Sequence, residues 1–130
     1  MNKQNPNSTV EVQTGHPNNR PPGSGVAKIV SEEPLANVPG KTLTVQVVDL
    51  PPGGRVPEHH HGGPTLVYVL SGNVRMQLLH GPAVDYHPGQ TFFEPPGSVH
   101  LYAENLGSIE PAKIMLIHVV DEGAELVTFH

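Results

Sequence analysis

Hydrophobic and polar residues alternate along most of this chain in short segments, with the two-residue period of β-strands and not the longer period of helices. Within segment 41–50, for example, Leu43, Val45 and Val47 fall on one face of a strand. Roughly eight to ten short strands with turn signals every 8 to 12 residues indicate an all-β sandwich or barrel, of which the jelly roll is one form. The other predicted strands are 65–70, 74–79, 83–86, 91–94, 99–103, 114–120 and 125–129.

The composition agrees with an all-β chain of one domain. Its 14 glycines and 15 prolines interrupt regular structure too often for long helices. A length of 130 residues is typical of a single domain with one hydrophobic core. Residues 1–25 are polar and contain hardly any apolar side chains, so we expect a disordered N-terminal tail followed by a β-barrel domain at 26–130.

Charge and cysteine content restrict the function. The chain has 7 basic and 12 acidic residues, so its net charge of -5 lacks the basic footprint of a nucleic-acid-binding protein. No apolar run approaches the ~20 residues that cross a bilayer, so no membrane association is expected. There is no cysteine, which excludes disulfides and thiolate ligands. The N-terminus shows no apolar stretch like that of a signal peptide, and we expect a cytoplasmic location.

Three of the nine histidines form a pattern that suits a metal ion. His59 and His61 are two residues apart on a predicted strand, so they point to the same side, and His60 points away. His100 follows the turn at 95–97 and supplies a third imidazole from another strand. The sequence therefore predicts one divalent metal held by His59, His61 and His100. Four further histidines lack such a pattern and are expected to be structural or exposed, namely His80, His87, His118 and His130.

Two segments resemble the paired motifs of the cupin superfamily. The first motif runs from Gly53 through His59 and His61 to Gly72, and the second is matched at Gly89, Pro95, Gly97 and His100. This resemblance implies a double-stranded β-helix, which is the jelly-roll barrel of cupins, with His59, His61 and His100 as metal ligands. Small single-domain cupins that look like this chain are often described as quercetin-dioxygenase-like.

The chain departs from the cupin motifs at two positions. Thr65 stands where cupins usually have a glutamate ligand, and Glu104 stands where they usually have asparagine, which here follows as Asn105. We therefore expect three neutral ligands, a site that keeps the full charge of the metal, and a preference for anionic substrates. Similar cupins that lack the glutamate use Fe(II), so the resemblance implies a dioxygenase acting on a chelating β-diketone, flavonol or catechol.

Other readings of the same residues stay open. A three-histidine site also suits Zn, Ni, Mn or Cu, and zinc would support hydrolytic or Lewis-acid chemistry. The alternative functions are a non-oxidative isomerase, cyclase or lyase, or a module that binds a small ligand without turnover. A metal-free structural role is the third class.

Further residues are candidates for the pocket and for an interface. Glu104 has the strand parity of His100 and could act as a general base or hydrogen-bond acceptor. The candidate substrate-binding residues are Thr65, Tyr102, Phe93 and Met76, although core packing explains them equally well. Segment 114–120 is apolar at nearly every position, which is typical of a strand covered on both sides and predicts a homodimer.

Overall fold

Residues 20–130 are described by the computed structural model, and within them the chain forms strands and no helix. The all-β prediction is confirmed. No helix of this part of the chain is long and apolar enough to cross a membrane. The strands are β1 (Val26–Pro34), β2 (Lys41–Leu50), β3 (Arg55–Val56), β4 (His59–His61), β5 (Thr65–Ser71), β6 (Val74–Leu78), β7 (Val84–Tyr86), β8 (Thr91–Glu94), β9 (His100–Asn105), β10 (Ala112–Asp121) and β11 (Val127–Phe129).

The predicted N-terminal tail lies mostly outside the described residues. Its last part, residues 20–25, forms a turn against the barrel, where Ser24 is fully buried. Arg20 holds this turn by donating from Nη2 to Ser24 O (2.7 Å) and from Nε to Gly25 O (3.2 Å). The turn leads directly into β1.

The strands form two antiparallel sheets that face each other across the core. One sheet has the order β1-β2-β10-β5-β8, and the other has the order β11-β4-β9-β6-β7, with β3 pairing to β9. Most neighbours within a sheet are distant in sequence, because the chain crosses repeatedly from one sheet to the other as in a jelly roll. The core between the sheets includes Leu50, Val67, Val69, Val74 and Met76.

The inner face of the five-stranded sheet changes from polar to apolar along its strands. Four buried polar side chains lie side by side on neighbouring strands, in the order Thr44, His118, Thr65 and Glu94. We call these four residues the polar row. Farther along the same strands, the inward side chains of β10, β5 and β8 are apolar. One end of the barrel interior is therefore polar.

Strand β9 contains a β-bulge that reverses its pattern of inward and outward residues. Leu78 lies opposite His100 and Gln77 lies opposite Tyr102, so Leu101 is an extra residue without a partner on β6. Beyond the bulge, Ala103 and Asn105 are buried. Glu104 lies between these two residues and so faces the other way. The prediction that Glu104 shares the strand face of His100 is therefore wrong.

Asn105 becomes an internal hydrogen-bonding residue as a result of this bulge. Its side-chain amide donates to Pro51 O and Glu110 O, both at 3.0 Å, and its Oδ1 accepts from the N–H of Gly107 at 2.9 Å. The asparagine that the motif places one residue earlier is thus supplied from position 105. It holds together the loops at the end of the barrel away from β4.

Candidate metal centre

Strand β4 is only three residues long and consists entirely of histidine. His59 and His61 are buried and His60 is half-buried on the opposite face, as strand alternation predicts. His59 lies directly opposite His100, the first residue of β9. The ring centroid of His59 is 4.9 Å from that of His61 and 4.8 Å from that of His100. The structure thus brings the three predicted histidines together inside the barrel.

Backbone carbonyls orient two of these imidazoles. Nδ1 of His59 lies 2.7 Å from Pro57 O, and Nδ1 of His61 lies 2.9 Å from Leu126 O. A carbonyl oxygen can only accept, so both Nδ1 atoms carry the proton and donate. The Nε2 lone pairs are left free, which is how a metal-binding histidine is held in many proteins.

Glu94 on β8 completes the cluster. One of its oxygens lies 3.3 Å from Nε2 of His61, and the other lies 3.2 Å from Nδ1 of His100. Its side chain is 2% exposed. The donor atoms of Glu94 and the three histidines all lie within 4.8 Å of one another.

The expectation of a site without a carboxylate is therefore wrong. Thr65 does replace the usual glutamate, but Glu94 is its direct cross-strand neighbour and reaches the same interior space from the next strand. The sequence held no clear signal for this residue, because Phe92 and Phe93 are equally apolar, and only the structure shows that Glu94 shares the buried face of Phe92.

Burial and mutual contact determine the charge of the cluster. Burial, together with the neighbouring His100 and His61, lowers the pKa of His59 to about 3. Burial by itself raises the pKa of Glu94, but the nearby ring nitrogens of His100 and His61 outweigh it and hold this pKa below its usual value. Neutral imidazoles and an ionised carboxylate are the forms that bind metal ions.

Buried donor atoms without a partner show that a divalent metal fits here. Within the described residues, His61 Nε2, both oxygens of Glu94 and both ring nitrogens of His100 are buried and lack a hydrogen bond of good geometry. Atoms about 2.1 Å from one ion are at most ~4.2 Å apart, so the widest separation of 4.8 Å would have to contract by roughly half an ångström. Three nitrogens and one carboxylate suit first-row transition metals and zinc better than calcium or magnesium, which prefer oxygen.

The other predicted site residues have different surroundings. Thr65 is buried and its hydroxyl contacts Nδ1 of His118 at 2.8 Å. Met76 is fully buried in the core. Phe93 is 54% exposed, and it is Phe92 whose ring contacts His100, with centroids 5.1 Å apart. The prediction that Phe93 belongs to an apolar pocket lining is therefore wrong.

Tyr102 and Glu104 also lie outside the barrel interior. The guanidinium of Arg55 lies over the Tyr102 ring, 4.1 Å from its centroid, and 3.5 Å from a carboxylate oxygen of Glu104. Both side chains are partly exposed to solvent. The bulge in β9 explains these positions, because it turns both residues away from the face that holds His100.

A small cavity of about 30 Å³ adjoins the cluster. It has room for one or two water-sized groups. Besides the four clustered residues, its lining includes Arg20, Gln46, Val48, Val67, Ile114 and Leu116. The cavity is thus mostly apolar, with polar groups at a few positions.

The cupin domain family model matches residues 46–118, which is more than half of the chain. The chain belongs to the cupin family. No curated protein matches it.

Solved structures with similar folds include oxalate decarboxylase from Bacillus subtilis, with 23% identity and a TM-score of 0.65 over 82% of this chain and 28% of that chain. An uncharacterized conserved protein with a double-stranded β-helix domain from Klebsiella pneumoniae has 22% identity and a TM-score of 0.63 over 98% and 96% of the two chains. DMSP lyase DddQ from Ruegeria pomeroyi has 22% identity and a TM-score of 0.56. That match covers 67% of this chain and 42% of the lyase. It therefore spans less than half of the lyase and of the decarboxylase.

Glu94→Gln is expected to weaken the binding of Zn²⁺ at least about 100-fold, because it removes the anionic donor of the four-residue cluster. Loss of a residue that only hydrogen-bonds to a metal ligand typically costs ~10–100-fold, and loss of a ligand should cost more. Calorimetric titration at pH 7 measures this. The matched control is Glu104→Gln, which changes an outward-facing glutamate and should leave the affinity within threefold of the wild type. Equal affinity for Glu94→Gln and wild type would contradict the assignment of Glu94.

The metal-free protein should lose stability as the pH falls below about 6.5. Burial lowers the pKa of both His59 and His118 to about 3, from 6.5 in the unfolded chain. Between these values the unfolded state binds more protons, so the free energy of unfolding decreases with falling pH by up to about 1.4 kcal/mol per pH unit for each group. Glu94, whose pKa is also lowered, adds a loss in the same direction below its ordinary value.

Urea denaturation of the metal-free protein at a series of pH values measures this slope. His118→Gln should remove one titrating group and so flatten the slope between pH 4 and 6.5. A free energy of unfolding that does not change across this range would contradict the assignment of neutral buried histidines.

Proposed function

We propose that this cupin is a metal-dependent enzyme that binds a small chelating oxyanion at His59, His61, Glu94 and His100 and transforms it without consuming dioxygen. The observation that carries the proposal is the buried Glu94 carboxylate, which faces imidazole nitrogens without other partners. A divalent ion bound there supplies Lewis-acid chemistry, which polarises a substrate oxygen.

The charge of the site favours an anionic substrate. One carboxylate and three neutral imidazoles leave a divalent centre with about one net positive charge. The described interior around it contains no second carboxylate close to the cluster. His59 and His61 keep their orientation through Pro57 O and Leu126 O, so the chain's own role is to present fixed donors and exclude bulk water.

The number of protein donors supports chemistry without dioxygen. Four protein donors on a six-coordinate ion leave two positions, which a chelating substrate fills with its own two oxygens. Dioxygen would then need one protein donor to withdraw. The cavity of about 30 Å³ also suits a molecule much smaller than a flavonol. Two neighbours in fold are named as a lyase and a decarboxylase, which supports non-oxidative chemistry in this family.

A dioxygenase using Fe(II) is the second candidate. A donor set with one carboxylate resembles in charge the 2-His-1-carboxylate centres of non-haem iron oxygenases. A substrate bound through a single oxygen would leave one position for dioxygen. A quercetin-dioxygenase-like reaction on a β-diketone, flavonol or catechol belongs to this candidate, and so does the preference for iron.

Oxygen consumption separates the two candidates. Protein purified without oxygen, with its metal identified, is incubated with small hydroxy-, keto- and dicarboxylates and with β-diketones, flavonols and catechols. We expect turnover of a small acid at equal rates in air and under argon, and its loss in His59→Ala but not in His87→Ala, which changes an exposed histidine. Stoichiometric oxygen uptake would instead establish the dioxygenase. Binding without turnover of any of these compounds would indicate a ligand-binding module.

We also propose that the chain forms a homodimer through the outer face of its five-stranded sheet. Apolar side chains lie side by side on this face, in one row of Val45, Ile117, Leu66 and Phe93 and a second row of Val47, Met115 and Tyr68. Several are only half-buried, and Phe93 is exposed. A contiguous apolar surface of this kind is typical of an interaction site.

Ile117→Lys is expected to convert a dimer into a monomer, because it places a charge at the centre of this face. Sedimentation at micromolar concentration measures the mass. Val38→Lys, at an exposed valine in the turn between β1 and β2, is the control and should stay dimeric. A wild-type monomer under these conditions would contradict the proposal.

A further inference from the structure

Gln46 on β2 has one side-chain group without a partner inside the cavity of the metal centre. Its side chain is 2% exposed and lines the cavity together with His59, His61 and Glu94. Within residues 20–130, Nε2 of Gln46 is buried and has no hydrogen-bond partner. The inward residues beside it on the neighbouring strands, Leu116 and then Val67, are apolar. An unpaired amide N–H₂ in such surroundings destabilises the protein unless a ligand accepts from it.

A chain of two hydrogen bonds determines which end of this amide faces the cavity. Nδ1 of His118 lies 2.8 Å from the hydroxyl of Thr65, and Nε2 of His118 lies 2.7 Å from Oε1 of Gln46. The other acceptor near the Thr65 hydroxyl, Gly63 O, is farther away at 3.2 Å. Because Oε1 of Gln46 can only accept, it receives Nε2–H of His118, and the neutral ring then accepts at Nδ1 from the Thr65 hydroxyl. The amide nitrogen of Gln46 is turned towards the cavity as a donor.

We infer that Gln46 is a substrate-binding residue, and that the amide of Gln46, together with the metal centre, selects the anion of a small carboxylic acid. This inference rests on the proposed function, because it assumes that the centre binds a metal. A carboxylate has two oxygens a short distance apart, so one can face the metal centre while the other accepts from Gln46. Thr65 and His118 are positioning residues that act through Gln46.

Size and charge within the cavity agree with this class of ligand. A volume of about 30 Å³ beside the cluster suits a group of a few atoms. Arg20 lines the same cavity, and its positive charge favours an anion nearby. Apolar side chains such as Val67 and Leu116 cover the rest, so a short acid fits better than a long polar one.

Anion binding to the full chain loaded with Co²⁺ tests this inference, with formate and chloride as probes. The visible spectrum of Co²⁺ and calorimetry report the dissociation constants. Chloride is a single atom and cannot contact the metal and Gln46 as two separate oxygens do. Gln46→Leu should weaken formate binding about tenfold or more, and should change the affinities for chloride and for Co²⁺ less than threefold.

Gln77→Leu is the matched control. Gln77 is a half-buried glutamine whose amide donates to Gly81 O, away from the cavity, so its replacement should leave formate binding unchanged. Equal formate affinity in Gln46→Leu and wild type would overturn the inference while the proposed function stands. Equal losses for formate, chloride and Co²⁺ would indicate a structural role and would also overturn it. A wild-type protein that binds no Co²⁺ would defeat the proposed function and this inference together.

Thr65→Val tests the positioning role of the hydrogen-bond chain. It replaces the hydroxyl with a methyl group of similar size, so His118 loses the donor that selects its proton position. Nitrogen NMR of the ring of His118 should show Nε2–H in the wild type and a mixture of both tautomers in the variant. Formate affinity should fall by a smaller factor than in Gln46→Leu. A wild-type spectrum with the proton on Nδ1 would overturn the assigned orientation of Gln46.

Discussion

The interior of this barrel is organised around one buried carboxylate that needs a positive partner. An ionised Glu94 in an apolar core is costly, and within the described residues no lysine or arginine reaches it. Its two oxygens lie beside the imidazoles of His61 and His100, at 3.3 and 3.2 Å from their ring nitrogens. A divalent cation satisfies the carboxylate and the unpaired imidazole nitrogens at once. The requirement for that cation links the packing of the barrel to its chemistry.

The two sheets divide the task of building this centre. The six-stranded sheet supplies the three imidazoles, on the short strand β4 and on the first residue of β9. The five-stranded sheet supplies the carboxylate at the end of the polar row, with His118 and Thr65 beside it. Because each sheet is held by strands far apart in sequence, the donors approach from opposite walls. A metal ion held by these donors would therefore also join the two sheets.

The same polar row connects the centre to the ligand cavity. His118 accepts from Thr65 and donates to Gln46, so a side chain three strands away from Glu94 presents its amide to the cavity. The lowered pKa of His118 keeps its ring neutral, with one donor and one acceptor. The bond that the ring accepts from Thr65 therefore requires it to donate to Gln46. The identity of the ligand is thus set partly by residues that do not touch the metal.

Local sequence patterns determined much of this protein. Strand alternation predicted that His59 and His61 share a face, since neighbouring positions in one strand depend only on backbone geometry. Turn residues before His100 and the two cupin motifs predicted the fold and the third histidine.

Only the tertiary structure decided the rest. Glu94 enters the site because its strand lies beside Thr65, and the register of two distant strands is not encoded in either alone. One extra residue, Leu101, turned Glu104 outward, since a bulge reverses parity in a way that a regular pattern cannot predict. The role of His118 depends in the same way on its long-range pairing with β2 and β5, and so no local motif marked it.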